Sequence, residues 1–273
     1  MVVQHNLQAA NTNRMLSSNV KAVSKATEKL SSGYQVNRAA DDAAGLSISE
    51  KMRNQIRGIN QAVKNSEDGI SLIQTAEGNM NEIHSILQRM GELATKAAND
   101  VNASEDRVAI KDEMTQLQSE INSIASKAAF NGTKLLTGSF SNKNLQVGAN
   151  SGENMTISIS KMTATGLGIG DTTSISVSTH AAASATMTNI SNAIKTVSGA
   201  RSKLGAIQNR LDYTVNNLKN YSENLTSAES QIRDTDMATE MTNYTKNNIL
   251  QQAAQSMLAQ ANQSTQGVLS LLG

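Results

Sequence analysis

The chain has 273 residues, with 24 Lys and Arg against 23 Asp and Glu, only 2% aromatic residues, and no proline, cysteine or tryptophan. So even a charge balance gives no general electrostatic reason to bind nucleic acid or an anionic membrane, and a chain without Cys has no disulfide, thiolate nucleophile or thiolate metal site. With bulky aromatics nearly absent and no proline to interrupt helices, the composition predicts long helices packed through Ala, Leu, Ile, Val and Met.

The first residues, MVVQHNLQAANTNRML, carry neither a basic leader nor an apolar stretch of about 7 to 15 residues, so no cleavable secretory signal is expected. No apolar run approaches the roughly 18 residues of a membrane-spanning helix. If exported, the chain needs a dedicated route. The next stretch, LSSGYQVNRAADDAAGLSISEKM, sets two adjacent carboxylates, Asp41 and Asp42, in a glycine-flanked gap before a helix expected to begin near Ala43. An Asp there can accept from the free N–H groups of that helix, and its charge suits the helix N-terminus. The competing reading, a hydrolytic acid pair, needs carboxylates that face one another, and neighbours on a helix point about 100° apart.

Beyond this gap, Ile73, Ala76, Met80, Ile83, Leu87, Met90, Ala94 and Ala97 alternate in steps of three and four, a heptad seam. A helix over about residues 66 to 98 would run roughly 50 Å at 1.5 Å per residue, which implies a rod-like unit. NDVNAS, residues 99–104, breaks it with Ser104 as a possible cap, and Ile110, Met114, Leu117, Ile121, Ile124 and Ala128 predict a second helix folding back. After Phe130 the pattern changes. NGTKLLTGSF is rich in turn residues, Leu145 and Val147 sit at alternate positions, and Met155, Ile157 and Ile159 alternate with Thr156, Ser158 and Ser160. Two or three short strands follow, within about residues 131 to 170. GLGIG, residues 166–170, lacks the context of a phosphate loop and reads as a flexible link into a Ser/Thr/Ala-rich segment, about 171 to 186, expected as an exposed variable tip.

Heptad spacing resumes with Leu204, Leu211, Leu218, Leu225 and Ile232, the first four followed three residues later by Ile207, Thr214, Tyr221 and Ala228 in turn, and predicts a long third helix. RDTDMATE, residues 233–240, interrupts it with Asp and Thr, which favour caps and turns, and a last helix runs to the end. The predicted class is mainly α: an elongated antiparallel helical bundle or coiled coil with a small β-hairpin region in the middle of the chain and both termini at one end.

The final 27 residues, 247–273, and the first 13 contain no Asp, Glu, Lys or Arg. Leu250, Ala254, Met257, Ala261, Ser264, Val268 and Leu271 mark a seam there. A helix apolar on one side and Gln/Asn/Ser on the other suits burial among other helices, while the absence of a basic face argues against a membrane-surface helix. A polymerising subunit fits this design; pairing of the two ends within one monomer is the alternative, since heptads do not reveal which chain supplies the partner. His5, His84 and His180 are far apart with no metal-ligand spacing, so no metal, cofactor or catalytic group is assigned. The 12 Met residues, several on seams, read as adaptable core packing.

The opening stretch, LSSGYQVNRAADDAAGLSISEKMRNQIRGINQA, closely resembles the N-terminal signature of bacterial flagellins. NSEDGISLIQTAEGNMNEIHSILQRMGELATKAAND, AAFNGTKLLTG, NLQVGANSGENMTISI and LAQANQSTQGVLSLLG resemble further flagellin segments in flagellin order. The resemblance implies a structural, non-enzymatic subunit of the extracellular filament that drives swimming. It implies a discontinuous inner domain, residues 1–43 and 235–273, that polymerises through Leu7, Leu16, Val20, Val23, Leu250, Ala254, Met257, Ala261, Val268 and Leu271. An outer domain, 44–234, would surround it, joined through a connector turn of Gly33, Asn37, Arg38, Asp41, Asp42 and Gly45. It further implies type III export in an unfolded state, a chaperone at the C-terminal helix, hook-associated junction and cap proteins as partners, and a Toll-like receptor of the host that would meet Gln88, Arg89 and Leu93 with Glu113 and Leu117. Position 91 is Gly where many such flagellins carry a basic residue, at a cost of about 1 kcal/mol of local helix propensity. A hook–filament junction protein is the alternative within the family, separated by self-polymerisation. The short middle of the chain predicts a minimal, smooth filament without an inserted domain.

Overall fold

Helices form where apolar residues step by three and four, and they end where Asn, Asp and Gly supply caps from the chain itself. The computed structural model describes residues 6–171 and 175–272, those after 264 for their backbone alone. Among the described residues the helices are α1 (Leu7–Ser32), α2 (Ala43–Ala97), α3 (Ser104–Lys127), α4 (His180–Arg233) and α5 (Met237–Leu272). Between α3 and α4 lie β1 (Ala129–Phe130), β2 (Thr133–Lys134), β3 (Lys143–Gln146) and β4 (Asn154–Ile157), paired as two antiparallel hairpins, β1 with β2 and β3 with β4. The mainly helical class with a small β region in mid-chain is the one expected. The chain divides into two compact units, Met1–Gln55 with Glu223–Gly273 and, separately, Ile56–Ser222. Both boundaries fall inside long helices, α2 and α4, whereas the division read from the sequence follows the connectors at 43/44 and 234/235.

The central unit owns the main core. All eight seam residues from Ile73 to Ala97 on α2 are fully buried, together with Met114 and Ile121 of α3 and Ile190, Val197 and Leu211 of α4. At roughly 1.5–3 kcal/mol for each large apolar side chain, this seam is the chief source of stability in the unit. The β1–β2 hairpin turns on Asn131 and Gly132, with φ of 46° and 75°, the left-handed pair that matches a two-residue turn to strand twist. In the second hairpin Leu145 stands opposite Met155. Leu145 reaches α2 at Gly69, where a Cβ would lie 2.5 Å from its Cδ2, so the hairpin packs down only because that position has no side chain.

Four sequence readings change. The GLGIG stretch is not a free link: Leu167 and Ile169 are buried, the Ile169 N–H donates to the Ala164 carbonyl at 2.9 Å, and the Gln118 amide on α3 donates to the Ile169 carbonyl at 2.6 Å. The expected tip, 171–186, is largely anchored too, with Ile175, Val177, Ala183 and Thr186 buried and α4 already under way at His180; residues 172–174 lie outside the described residues. Small Ala and Thr side chains hold the first turns of α4, so the seam is present there without the Leu and Ile that advertise it. Ser104 is the first residue of α3 rather than its cap; Asp106 reaches back to accept from the Ala103 N–H at 3.2 Å. Tyr221, placed on the α4 seam by its spacing, is exposed.

Candidate assembly site

In the terminal unit α1 and α5 run antiparallel. The Asn6 side-chain amide donates to the Ala261 carbonyl at 3.1 Å near one end of the pair, and the Thr235 N–H donates to the Gly33 carbonyl at 2.9 Å near the other. The two ends therefore do pair within the monomer. Asn6 caps α1 by accepting from the Ala9 N–H at 2.9 Å, and Asp236 caps α5 through the Ala238 N–H at 2.9 Å and the Thr239 hydroxyl at 2.8 Å. These bonds hold the Asp236 carboxyl below its usual range, the Thr239 hydroxyl foremost.

The strip of α5 that is covered, wholly or in part, runs through Glu240, Tyr244, Asn247, Gln251, Ala254, Leu258 and Ala261 in steps of four and three, with Asn248 half-buried beside it. It is polar for the most part, with Ala254, Leu258 and Ala261 its apolar members, and Lys29 of α1 meets Glu240 there at 3.9 Å. On α1, Leu16 and Val23 are half-buried and Ala26 is buried. The large apolar side chains mostly face the other way. Leu7 is 75% exposed, Met257 58% and Ile249 61%, and Met15, Val20, Met237, Met241 and Leu250 are exposed as well. Of the residues singled out for polymerisation, Ala261 is buried, Leu16, Val23 and Ala254 are half-buried, and Leu7, Val20, Leu250 and Met257 face solvent; Val268 and Leu271 lie outside the described side chains. An exposed apolar surface of this extent on a charge-poor helix pair is the signature of an interaction surface.

The turn between α1 and α2 is built from its polar residues. Gly33 ends α1 with φ of 76°, a left-handed conformation that costs a side-chain-bearing residue about 1 kcal/mol, and its N–H donates to the Lys29 carbonyl at 2.8 Å. Asp41 accepts from the backbone N–H groups of Arg38 at 3.1 Å and Asn37 at 3.3 Å, and Lys25 of α1 lies 2.8 Å from its other oxygen. That ammonium, with the two N–H groups, holds the Asp41 carboxyl below its usual range. Asp42 precedes α2 and accepts from the Gly45 N–H at 2.9 Å, a third-residue N-cap. The adjacent carboxylates thus have separate structural tasks, as turn chemistry predicts, and Arg38 pairs outward with Glu28 at 2.8 Å.

Sequence reasoning did not reveal that this turn is laced to the one 200 residues later. Tyr34 forms an antiparallel bridge with Asp234, and the Gln35 N–H donates to the Arg233 carbonyl at 2.7 Å. The Arg233 guanidinium sits 4.7 Å from the Tyr34 ring centroid and 3.0 Å from Glu50, which it holds below the usual carboxylate range. Val36, buried among polar neighbours, was the available hint.

In the central unit, Arg89 binds Glu113 at 2.9 Å and Glu92 at 3.1 Å on the wall of an open groove between α2 and α3, of about 520 Å³. Gln88 is exposed and Leu117 half-buried. Leu93 is only 4% exposed and belongs to the core, and it lines the floor of the same groove beside Arg89 and Glu113. The His180 Nδ1–H donates to the Ala98 carbonyl at 2.6 Å; His5 lies outside the described residues.

A helix pair that leaves much of its large apolar surface uncovered, tied at its base by two interlocked turns, has the design of a self-associating structural protein. Residues 3–141 match the bacterial flagellin N-terminal helical region, and residues 187–272 match the bacterial flagellin C-terminal helical region. A flagellin of Halalkalibacterium halodurans is 52% identical over 272 residues, and one of Bacillus subtilis 48% identical over 303, each alignment covering 100% of both chains. The crystal structure of Bacillus cereus flagellin superposes with a TM-score of 0.51 at 32% identity, covering 57% of this chain and 88% of that one. The chain belongs to the bacterial flagellin family, whose members are structural subunits of the extracellular flagellar filament.

Proposed function

We propose that the chain polymerises through the outward faces of α1 and α5, and that neighbouring subunits cover the apolar surface the monomer leaves in water. The observation that carries this is the large apolar surface that the terminal unit leaves outside its seam: Leu7, Val20, Ile249, Leu250 and Met257 stand in solvent, while Leu16, Val23, Ala254, Leu258 and Ala261 are covered wholly or in part. The subunit is non-enzymatic. Asp41 and Asp42, the carboxylates with the best claim to chemistry, are each committed to a turn or a cap.

The rest of the reading follows the family. The chain is exported unfolded through the flagellar type III apparatus with a chaperone on its C-terminal helix, adds beneath the cap protein, and abuts hook-associated junction proteins. The Arg89–Glu113 face, with Gln88, is the surface offered to the host Toll-like receptor, and Arg89→Ala should weaken receptor-reporter activation. Purified full-length protein, dissociated by heat and cooled with seeds, is expected to form long uniform filaments under negative-stain electron microscopy. Short rings that never elongate would favour the junction-protein alternative instead.

A further inference from the structure

Methionine is divided between the two units in a way that packing does not demand. In Ile56–Ser222, Met80, Met90, Met114 and Met162 are fully buried, with Met187 the exposed exception. In the terminal unit the order largely inverts: Met15, Met237, Met241 and Met257 are exposed, and Met52 is half-buried. Leucine at these positions would offer similar apolar area with comparable helix propensity, so what methionine adds is a polarizable thioether that can be oxidised.

The thioethers are also spread around the helix. Glu240 and Leu258, 18 residues apart, lie on the same covered strip of α5. Met241 follows the first by one position and Met257 precedes the second by one, so at roughly 100° per residue they stand on opposite flanks of that strip. A subunit approaching α5 from either flank meets one of them.

We infer, on the assembly reading above, that Met15, Met237, Met241 and Met257 form a reversible oxidation site for hydroperoxides, which disables the assembly surface of the free subunit and which polymerisation shields. A thioether sulfur lone pair attacks the terminal oxygen of hydrogen peroxide; the S–O bond forms as the O–O bond breaks. Sulfur is oxidised by two electrons to the sulfoxide, and the peroxide is reduced to water after proton transfer to the departing hydroxide. The product presents a strongly polar acceptor where a neighbour offers apolar atoms, and burying it without a donor opposes association. The buried methionines of the central unit keep its core out of reach of the same reagent.

The test treats full-length monomer with hydrogen peroxide, maps each methionine by peptide mass spectrometry, and then follows seeded polymerisation. Met15, Met237, Met241 and Met257 are expected to oxidise about tenfold or more faster than Met80, Met90, Met114 and Met162. The critical concentration should rise by on the order of tenfold or more, and methionine sulfoxide reductases with a dithiol should restore it. In preformed filaments the four sulfurs should be protected. A variant carrying Met→Leu at all four positions, measured against its own untreated critical concentration, should show no rise on peroxide treatment. Oxidation of all four without change in the critical concentration overturns the inference, as does equal reactivity of buried and exposed methionines. Untreated wild-type monomer that never polymerises would instead overturn the assembly reading itself, so the two failures are distinct.

Discussion

The Lys25 ammonium lies 2.8 Å from the Asp41 carboxylate and ties the body of α1 to the turn that follows it. Asp41 thereby bonds three ways, to Lys25 and to the backbone N–H groups of Asn37 and Arg38, and the turn keeps its shape without any apolar residue of its own between positions 37 and 42 other than alanine.

This relationship sets an acid dependence. Lys25 and the Arg38 N–H hold the Asp41 carboxyl below its ordinary value, so its contribution to stability is present above an unfolded pKa of about 3.9 and is lost as pH falls through the lower folded value. Glu50, held down by Arg233, acts with the same sign. Helicity followed by circular dichroism should show Asp41→Asn less stable than wild type at neutral pH, with the difference shrinking below about pH 4. A difference that persists unchanged into strong acid would disprove the role given to the charge.

Asp42 is a local cap rather than a charge partner. Replacing it by Ala should cost about 1 kcal/mol at the start of α2, which corresponds to roughly fivefold faster amide exchange at Gly45 and its neighbours. Asp42→Asn should retain most of the protection.

Two glycines in α2 should respond with opposite signs. At Gly91 a Cβ would lie 3.8 Å from Ile190 Cγ2, an ordinary contact, so Gly91→Ala should stabilise the central unit by about 0.5–1 kcal/mol through helix propensity. At Gly69 a Cβ would lie 2.5 Å from Leu145 Cδ2, so Gly69→Ala should displace the β3–β4 hairpin and cost about 1–3 kcal/mol. Thermal melting of the two variants beside wild type checks both.

Much of the central unit was legible because its seams are written in Ile, Leu and Met: every position from Ile73 to Ala97 that the spacing selected is buried. The first turns of α4 were illegible because Ala183 and Thr186 occupy seam positions with side chains too small to show a period. The terminal helices misled in a different way. α5 has apolar residues on more than one side, and spacing alone picked out both Ala254, which faces α1, and Met257, which does not. Capping by Asp42 and Asp236 could be read locally, since Asp acts on amides two or three residues away. The bridge from Tyr34 to Asp234 could not, because it joins segments far apart in the chain through backbone groups that every residue carries.

The central claim is that the apolar faces turned away from the α1–α5 seam hold subunits together. The most direct measurement is the critical concentration for seeded polymerisation of full-length protein carrying Ile249→Ser, Leu250→Ser and Met257→Ser. All three side chains are exposed in the monomer, so its helicity should be unchanged. At roughly 1.5–3 kcal/mol for each side chain fully buried by a neighbour, the critical concentration should rise by two orders of magnitude or more. A variant that polymerises at the wild-type concentration would contradict the account.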